Sequence, residues 1–235
     1  MKTAIVTGAS RGFGYELAAS LARLGWNLVI DARDGSALKT AAAELDGLGP
    51  GRVVFVVGDV SDRLHASHLV DSAAGLGDFR LLVNNASTLG PSPQPNLGDY
   101  PMDVLEEVFR VNVLGPVSLT QLALPHLRGA GGIVVNITSD AAVEPYEGWG
   151  GYGSSKAALE QVSNVLAAEE PDVVVYWFDP GDMRTQMHQE AFPGEDISDR
   201  PLPVTRVPAL IDLLETGLPS GRYTAEALLA EKVSA

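Results

Sequence analysis

The chain has 235 residues, 46% of them hydrophobic, no cysteine, and a formal net charge of −14 at pH 7. This length and apolar content suit one α/β domain with a sizeable core. The missing cysteines exclude disulfides, a thiolate nucleophile and Cys-ligated zinc, and the acidity argues against a nucleic-acid surface. No apolar run reaches the ~18 residues of a membrane span, and Met1-Lys2-Thr3 leads straight into a short apolar run rather than a secretory signal. The expectation is a cytoplasmic protein with neither membrane nor nucleic-acid partners.

Short apolar runs at Thr3–Thr7, Asn27–Ile30, Val53–Val57, Leu81–Val83, Ile133–Ile137 and Val173–Phe178 predict strands. Amphipathic stretches at Gly14–Leu24, Ser36–Leu45, Arg63–Ala74, Met102–Leu127 and Tyr152–Glu169 predict helices between them. Two-sided apolar strands alternating with helices imply a mostly parallel sheet covered on both faces, a doubly wound α/β fold. No linker divides the chain, so residues 1–235 read as one domain. Gly90–Pro95 reads as a surface loop. Phe192–Pro208, with Pro193, Pro201, Pro203 and Pro208, reads as a mobile loop, part of a substrate-pocket segment at about 182–208.

The first predicted strand runs into Thr7-Gly8-Ala9-Ser10-Arg11-Gly12-Phe13-Gly14 before a helix. Glycines at such a turn permit a tight bend, close backbone approach to a pyrophosphate, and close helix–strand packing. The helix N-terminus then offers free N–H groups to phosphate. Arg11, in this turn, and Arg33, just past the second strand, are candidates for a 2′-phosphate. In Asp31-Ala32-Arg33 the register decides: Asp31 at the ribose would favour NAD, Arg33 favours NADP. Asp59 after the third strand is a candidate adenine acceptor, with a cap role beside Ser61 as the alternative. Asn84-Asn85-Ala86 ends the fourth strand, either lining the cleft or closing a turn.

Tyr152 and Lys156 are spaced i,i+4, so a phenol and an ammonium share one helix face. A nearby cation favours phenolate and lowers the phenol's pKa, suiting it to proton transfer at a carbonyl. Ser139 follows the fifth strand, where open α/β sheets place ligands, and its hydroxyl suits a developing oxyanion. Asn112 is flanked by apolar residues in a predicted helix, which it is expected to bend, holding a water near Lys156; the alternative is a satisfied core Asn.

With these residues in this order, the chain over about residues 3–190 resembles the short-chain dehydrogenase/reductase family. The resemblance rests on the glycine turn, Gly58-Asp59-Val60, Asn84-Asn85-Ala86, Val111-Asn112-Val113, Ser139, Tyr152 with Lys156, and Asp179–Thr185. It implies a Rossmann-type sheet of about seven strands and a catalytic Asn112, Ser139, Tyr152 and Lys156. It also implies cofactor contacts from Gly8, Ser10, Arg11, Gly12, Phe13, Gly14, Arg33, Asp59, Val60, Asn85, Ala86, Tyr152, Lys156, Pro180, Gly181, Met183 and Thr185. In the family pattern Ala32 stands where NAD-preferring members carry Asp, which supports NADP(H) over NAD(H). Ser87 departs from the family's usual glycine, and the region after residue 190 matches poorly.

The function implied is NADP(H)-dependent hydride transfer between cofactor and a small carbonyl or alcohol substrate. A silent NADP(H)-sensing binding protein is the alternative. An epimerase or dehydratase is disfavoured by the short C-terminal part. The predicted helices at Met102–Leu127 and Tyr152–Glu169 resemble the family's dimer-forming helices, and this resemblance implies a homodimer or homotetramer. His65 and His68 are read as solvated, since no carboxylate cluster completes a metal site, and Pro125-His126 as a helix end. His188, Glu144, Tyr146 and Trp149 are expected to face the substrate, with aromatic packing as the alternative.

Overall fold

The computed structural model describes residues 1–233. Each of the six apolar runs forms a strand: β1 (Lys2–Val6), β2 (Asn27–Ala32), β3 (Val53–Val57), β4 (Asp78–Asn84), β5 (Ile133–Ile137) and β6 (Val174–Asp179). A seventh, β7 (Gly221–Thr224), pairs with β6 in the register Tyr176↔Gly221 to Asp179↔Thr224. All neighbours are parallel, in the order β3-β2-β1-β4-β5-β6-β7. The winding direction reverses between β1 and β4, where an open α/β sheet leaves a crevice at its carboxyl end.

Alternation along the strands feeds two cores. Ala4, Val6, Ile30 and Phe178 face one side, packing with Leu17 and Leu21 of α1 (Gly12–Arg23), Leu38 of α2 (Gly35–Asp46) and Leu210 of α8 (Val207–Thr216). Ile5, Val29, Leu82 and Val134 face the other, against Leu69 of α3 (Arg63–Leu76) and Leu119 of α5 (Gly115–Ala130). A strand buried on both faces favours apolar residues on both, which explains the predominantly apolar runs in the central strands.

The segment expected as one helix over Met102–Leu127 is α4 (Met102–Phe109), a π-helical turn at Arg110–Leu114, and α5. Asn112 lies in the π turn, buried. A side chain that competes for backbone hydrogen bonds, and a wide turn that takes one extra residue, occur together here. The helix does not end at Pro125-His126: Pro125 lies inside α5, which stops where Gly131 turns left-handed (φ 59, ψ 50). The remaining helices are α6 (Gly150–Glu169), α7 (Gln186–Ala191) and α9 (Ala225–Val233). The 182–208 segment is partly ordered into α7 and a short 3-10 turn at Pro203–Thr205 before α8 begins.

Candidate active site

A cleft of about 720 Å³ crosses the carboxyl ends of β1, β2, β4, β5 and β6. It is lined by Gly8, Ser10, Arg11, Gly12, Phe13, Arg33, Asp59, Val60, Asn85, Ala86, Ser139, Tyr152, Lys156, Pro180, Gly181, Met183 and Thr185. Gly14 and Asn112 are not among its lining. Gly14 instead lets α1 approach the β4 end: a Cβ there would come 2.4 Å from Asn85 Nδ2 and 2.7 Å from the Gly8 carbonyl.

The floor of the glycine turn is tight. Gly8 has φ +66, and a Cβ on it would lie 2.8 Å from Ala86 Cα. Asn85 Nδ2 donates to the carbonyls of Thr7 (2.8 Å) and Gly8 (3.2 Å), tying the turn to the end of β4. Asp34 and Asp62 cap α2 and α3 with their carboxylates, but no side chain caps α1. The first N–H groups of α1 therefore face the cleft, and a nicotinamide dinucleotide's diphosphate fits this donor set. Arg11 reaches Gln186 Oε1 of α7 at 2.5 Å, and Arg33 stands exposed at the rim.

Asp31 borders the cleft but is turned inward. It is fully buried, accepting from the Gly8 N–H (2.8 Å) and pairing with His65 Nε2 (2.9 Å). Burial pushes its carboxyl above the usual range, while His65 and the Gly8 N–H pull it back. This corrects the expectation for His65, which is 6% exposed and a structural partner of the glycine turn; His68 is exposed as expected. Asp59 Oδ1 is held by the Ser61 N–H (2.8 Å) and hydroxyl (2.6 Å). The cap of α3 is Asp62, not Asp59.

At the other end of the cleft, Tyr152 and Lys156 project from the first turns of α6. Both are buried, with Nζ 5.5 Å from the phenol ring centroid. Lys156 Nζ donates to the Ile137 carbonyl at 2.8 Å, and burial pushes its pKa down to about 8. Burial also pushes the Tyr152 phenol up, and Asp179 and Asp140 add to that; the Ser139 and Ser87 hydroxyls act the other way. In the protein alone desolvation thus outweighs the lowering expected from Lys156, and the phenol is held neutral.

Ser139 caps the 3-10 turn Asp140–Ala142, donating its hydroxyl to Asp140 Oδ1 (2.9 Å). Asn112 is saturated: Oδ1 accepts from the Ser87 hydroxyl (3.0 Å) and Thr88 N–H (2.8 Å), and Nδ2 donates to Thr88 O (2.9 Å) and Ser155 Oγ (3.0 Å). Its side chain pins the 87–88 segment to α6, the core-Asn alternative, with no capacity left for the expected water. Ser87, flagged only as a departure from pattern, thereby joins the site.

Trp149 lines the cleft beside Tyr152, with ring centroids 5.8 Å apart, and Leu89, Met187 and Ala191 complete an apolar wall. His188 lines it too, its ring tilted against Phe192 with centroids 4.9 Å apart. Tyr146 is 47% exposed and bonded to Asp140 Oδ2, and Glu144 is exposed; neither lines the cleft. Sequence reasoning missed what lies behind Ser139 and Tyr152. Arg222 of β7 bonds Glu160 Oε1 (2.9 Å) and Asp179 Oδ2 (3.0 Å), and Glu160 also accepts from Thr138 Oγ1 (2.7 Å). Glu160 had a signal, being i+4 from Lys156 on the same helix face. Arg222 had none. Among the described residues no cluster suits a metal ion, and no helix is long and apolar enough to cross a membrane.

The family model described as short chain dehydrogenase matches residues 2–196. Sepiapterin reductase of Meriones unguiculatus is 38% identical over 200 residues, covering 80% of this chain and 76% of the relative. An uncharacterized oxidoreductase of Saccharomyces cerevisiae is 31% identical over 234 residues, covering 97% and 90%. Among solved structures, an alcohol dehydrogenase from the archaeon Thermococcus sibiricus, complexed with 5-hydroxy-NADP, aligns with a TM-score of 0.85 at 29% identity, covering 95% of each chain.

Proposed function

This chain belongs to the short-chain dehydrogenase family, an oxidoreductase family that uses NAD(P), and we propose that it is NADP(H)-dependent, interconverting a carbonyl compound and its alcohol with Tyr152 as proton donor and acceptor. The observation that carries this is a buried phenol, with a serine hydroxyl and a buried lysine beside it, in the same cleft as the glycine cradle. The alcohol dehydrogenase aligned above carries an NADP derivative, which supports the cofactor class.

The N–H groups at the start of α1 would hold the diphosphate, with Gly8 and Gly12 giving clearance. Arg11 and Arg33 would take a 2′-phosphate, whose charge and paired oxygens suit the guanidinium's fork of N–H donors. Pro180, Gly181, Met183 and Thr185, which line the cleft, would meet the nicotinamide, and Lys156 would hold the adjoining ribose. The bound reduced cofactor supplies the hydride. The Ser139 hydroxyl turns from Asp140 to the substrate oxygen as negative charge gathers there, and donated hydrogen bonds of this kind lower the barrier. Tyr152 gives that oxygen its proton, and the Lys156 ammonium favours the phenolate that results.

The wall of Trp149, Leu89, Met187 and Ala191 suits a flat or apolar carbonyl compound. Sepiapterin, named for the relatives above, is the first compound to try, followed by aryl ketones and diketones. The test is NADPH consumption across that panel by the parent and by Tyr152→Phe. Turnover should fall by about 10²–10⁴ in the variant while NADPH still binds; retention of most activity overturns the assignment.

A further inference from the structure

We propose that Arg222, on the terminal strand, is a positioning residue of the active site that clamps the backbone behind Ser139 and offsets the negative charge behind Tyr152. The inference rests on the reading of Tyr152 as the proton donor. Arg222 is three-quarters buried and reaches three separate segments. Nε meets Glu160 of α6 at 2.9 Å, while Nη2 meets the Asp179 carboxylate at the end of β6 at 3.0 Å and lies 3.4 Å from the Ser139 carbonyl. Glu160 passes the clamp on to Thr138 at 2.7 Å, the residue before Ser139. Asp179 in turn accepts from the Gly181 N–H at 2.8 Å, in the loop expected to meet the nicotinamide. One guanidinium fork thus sets the serine strand, the Pro180-Gly181 loop and the tyrosine helix relative to one another.

The electrostatic part follows from what surrounds Tyr152. The charged groups around the phenol are Asp179 from β6, Asp140 from the turn after β5, and Lys156 on its own helix. Asp182 lines the cleft from the β6–α7 segment and His188 from α7. Asp179 leads the charge effects on the phenol, and it raises the phenol's pKa. Arg222 is paired with this carboxylate, so the two present a dipole instead of a bare negative charge. Carboxyls titrate far below phenols, so Asp179 is ionised wherever Tyr152 titrates. With Arg222 removed, the phenol should hold its proton to higher pH; with Asp179 neutralised, it should release it at lower pH.

The test is the phenolate absorbance of the NADP+ complex against pH, with the same complex of the Tyr152→Phe variant subtracted to isolate one tyrosine among six. Arg222→Gln should raise the midpoint by at least ~0.5 pH unit, since a nearby charge moves a pKa by about 1–3 and this pair is partly screened. Arg222→Lys, keeping the charge without the fork, should return most of the shift. Asp179→Asn should lower the midpoint, and it carries the test if Arg222→Gln fails to fold. Variants that lose activity equally at all pH values, with midpoints unmoved, would overturn the tuning role. Full turnover by Tyr152→Phe would instead overturn the assignment of the proton donor, which separates the two failures.

Discussion

Replacing Lys156 by Met should make the cofactor-free protein more stable and leave it inactive. Lys156 is 2% exposed, and burial pushes its ammonium from 10.5 down to about 8. Each pH unit of such a difference is about 1.4 kcal/mol, so a charged Lys156 costs the folded state roughly 3 kcal/mol at pH 7. Met has a similar reach and no charge to desolvate. It does strip the Ile137 carbonyl of its 2.8 Å donor, which returns about 1 kcal/mol. The net gain is ~2 kcal/mol, or about 4–8 °C in Tm for a domain of this size. The sign is fixed by linkage: between about 8 and 10.5 the unfolded lysine binds the proton that the folded one has lost, so the parent gains stability as pH rises through that window. The advantage of Met should therefore be full below pH 8 and gone by 10.5. Paired thermal melts across that range are the assay. A variant less stable than the parent at neutral pH, or more stable by the same amount throughout, would refute a desolvated charge at this position.

Gly8→Ala should fail where Gly181→Ala survives. Both have positive φ (+66 and +71), but a Cβ at Gly8 meets Ala86 Cα at 2.8 Å, while nothing lies within 4 Å at Gly181. The second change should cost about 1–2 kcal/mol in a chemical melt, the first clearly more, with loss of NADPH binding; equal costs would mean that the close approach is irrelevant. Arg33→Ser should weaken NADPH about tenfold or more and leave NADH unchanged, as fluorescence titration of each cofactor will read out; parallel losses would refute 2′-phosphate recognition. His65→Leu should destabilise by about 3 kcal/mol, because it leaves the buried Asp31 carboxylate with the Gly8 N–H as its main donor. His65→Gln, which keeps a donor, should recover part of this, and denaturant midpoints that do not rank in that order would deny the pair its structural role.

The strands were legible because residues buried on both faces are mostly apolar, as in Leu81–Val83 and Ile133–Val135. β7 was not, because Gly221-Arg222-Tyr223-Thr224 is only half-buried and its place is set by backbone pairing to β6. The glycine turn was legible because a tight strand-to-helix bend calls for glycine, whereas the Tyr152/Lys156 spacing is common on any helix and gained meaning only beside Ser139, Asn112, the glycine turn and the family resemblance. The support behind them was not. Arg222 lies 43 residues from Asp179 and 83 from Ser139, so its charge carries no local pattern. The π turn hid for a related reason: one extra residue between α4 and α5 leaves composition unchanged and alters only which face Asn112 presents.

The ambiguity at Asp31-Ala32-Arg33 has a sharper lesson, because the sequence contained its resolution. Side chains alternate along a strand, so Asp31 shares a face with Val29, and Ala32 with Ile30. Val29 packs in the core beneath α3, and Ile30 in the core beneath α1 and α2. On α3, His65 falls four residues before Leu69, on the helix's apolar face, where a solvated histidine does not belong. Asp31 and His65 were therefore directed at each other from two independent periodicities, one of two and one of 3.6. An acid one position later, at residue 32, would instead share the face of Ile30, away from α3. A one-residue shift thus decides which face of the sheet this carboxylate serves: at residue 31 it anchors the glycine turn through Gly8 and His65, and the neighbouring Arg33 is the exposed charge at the cleft rim that the proposed NADP(H) preference rests on.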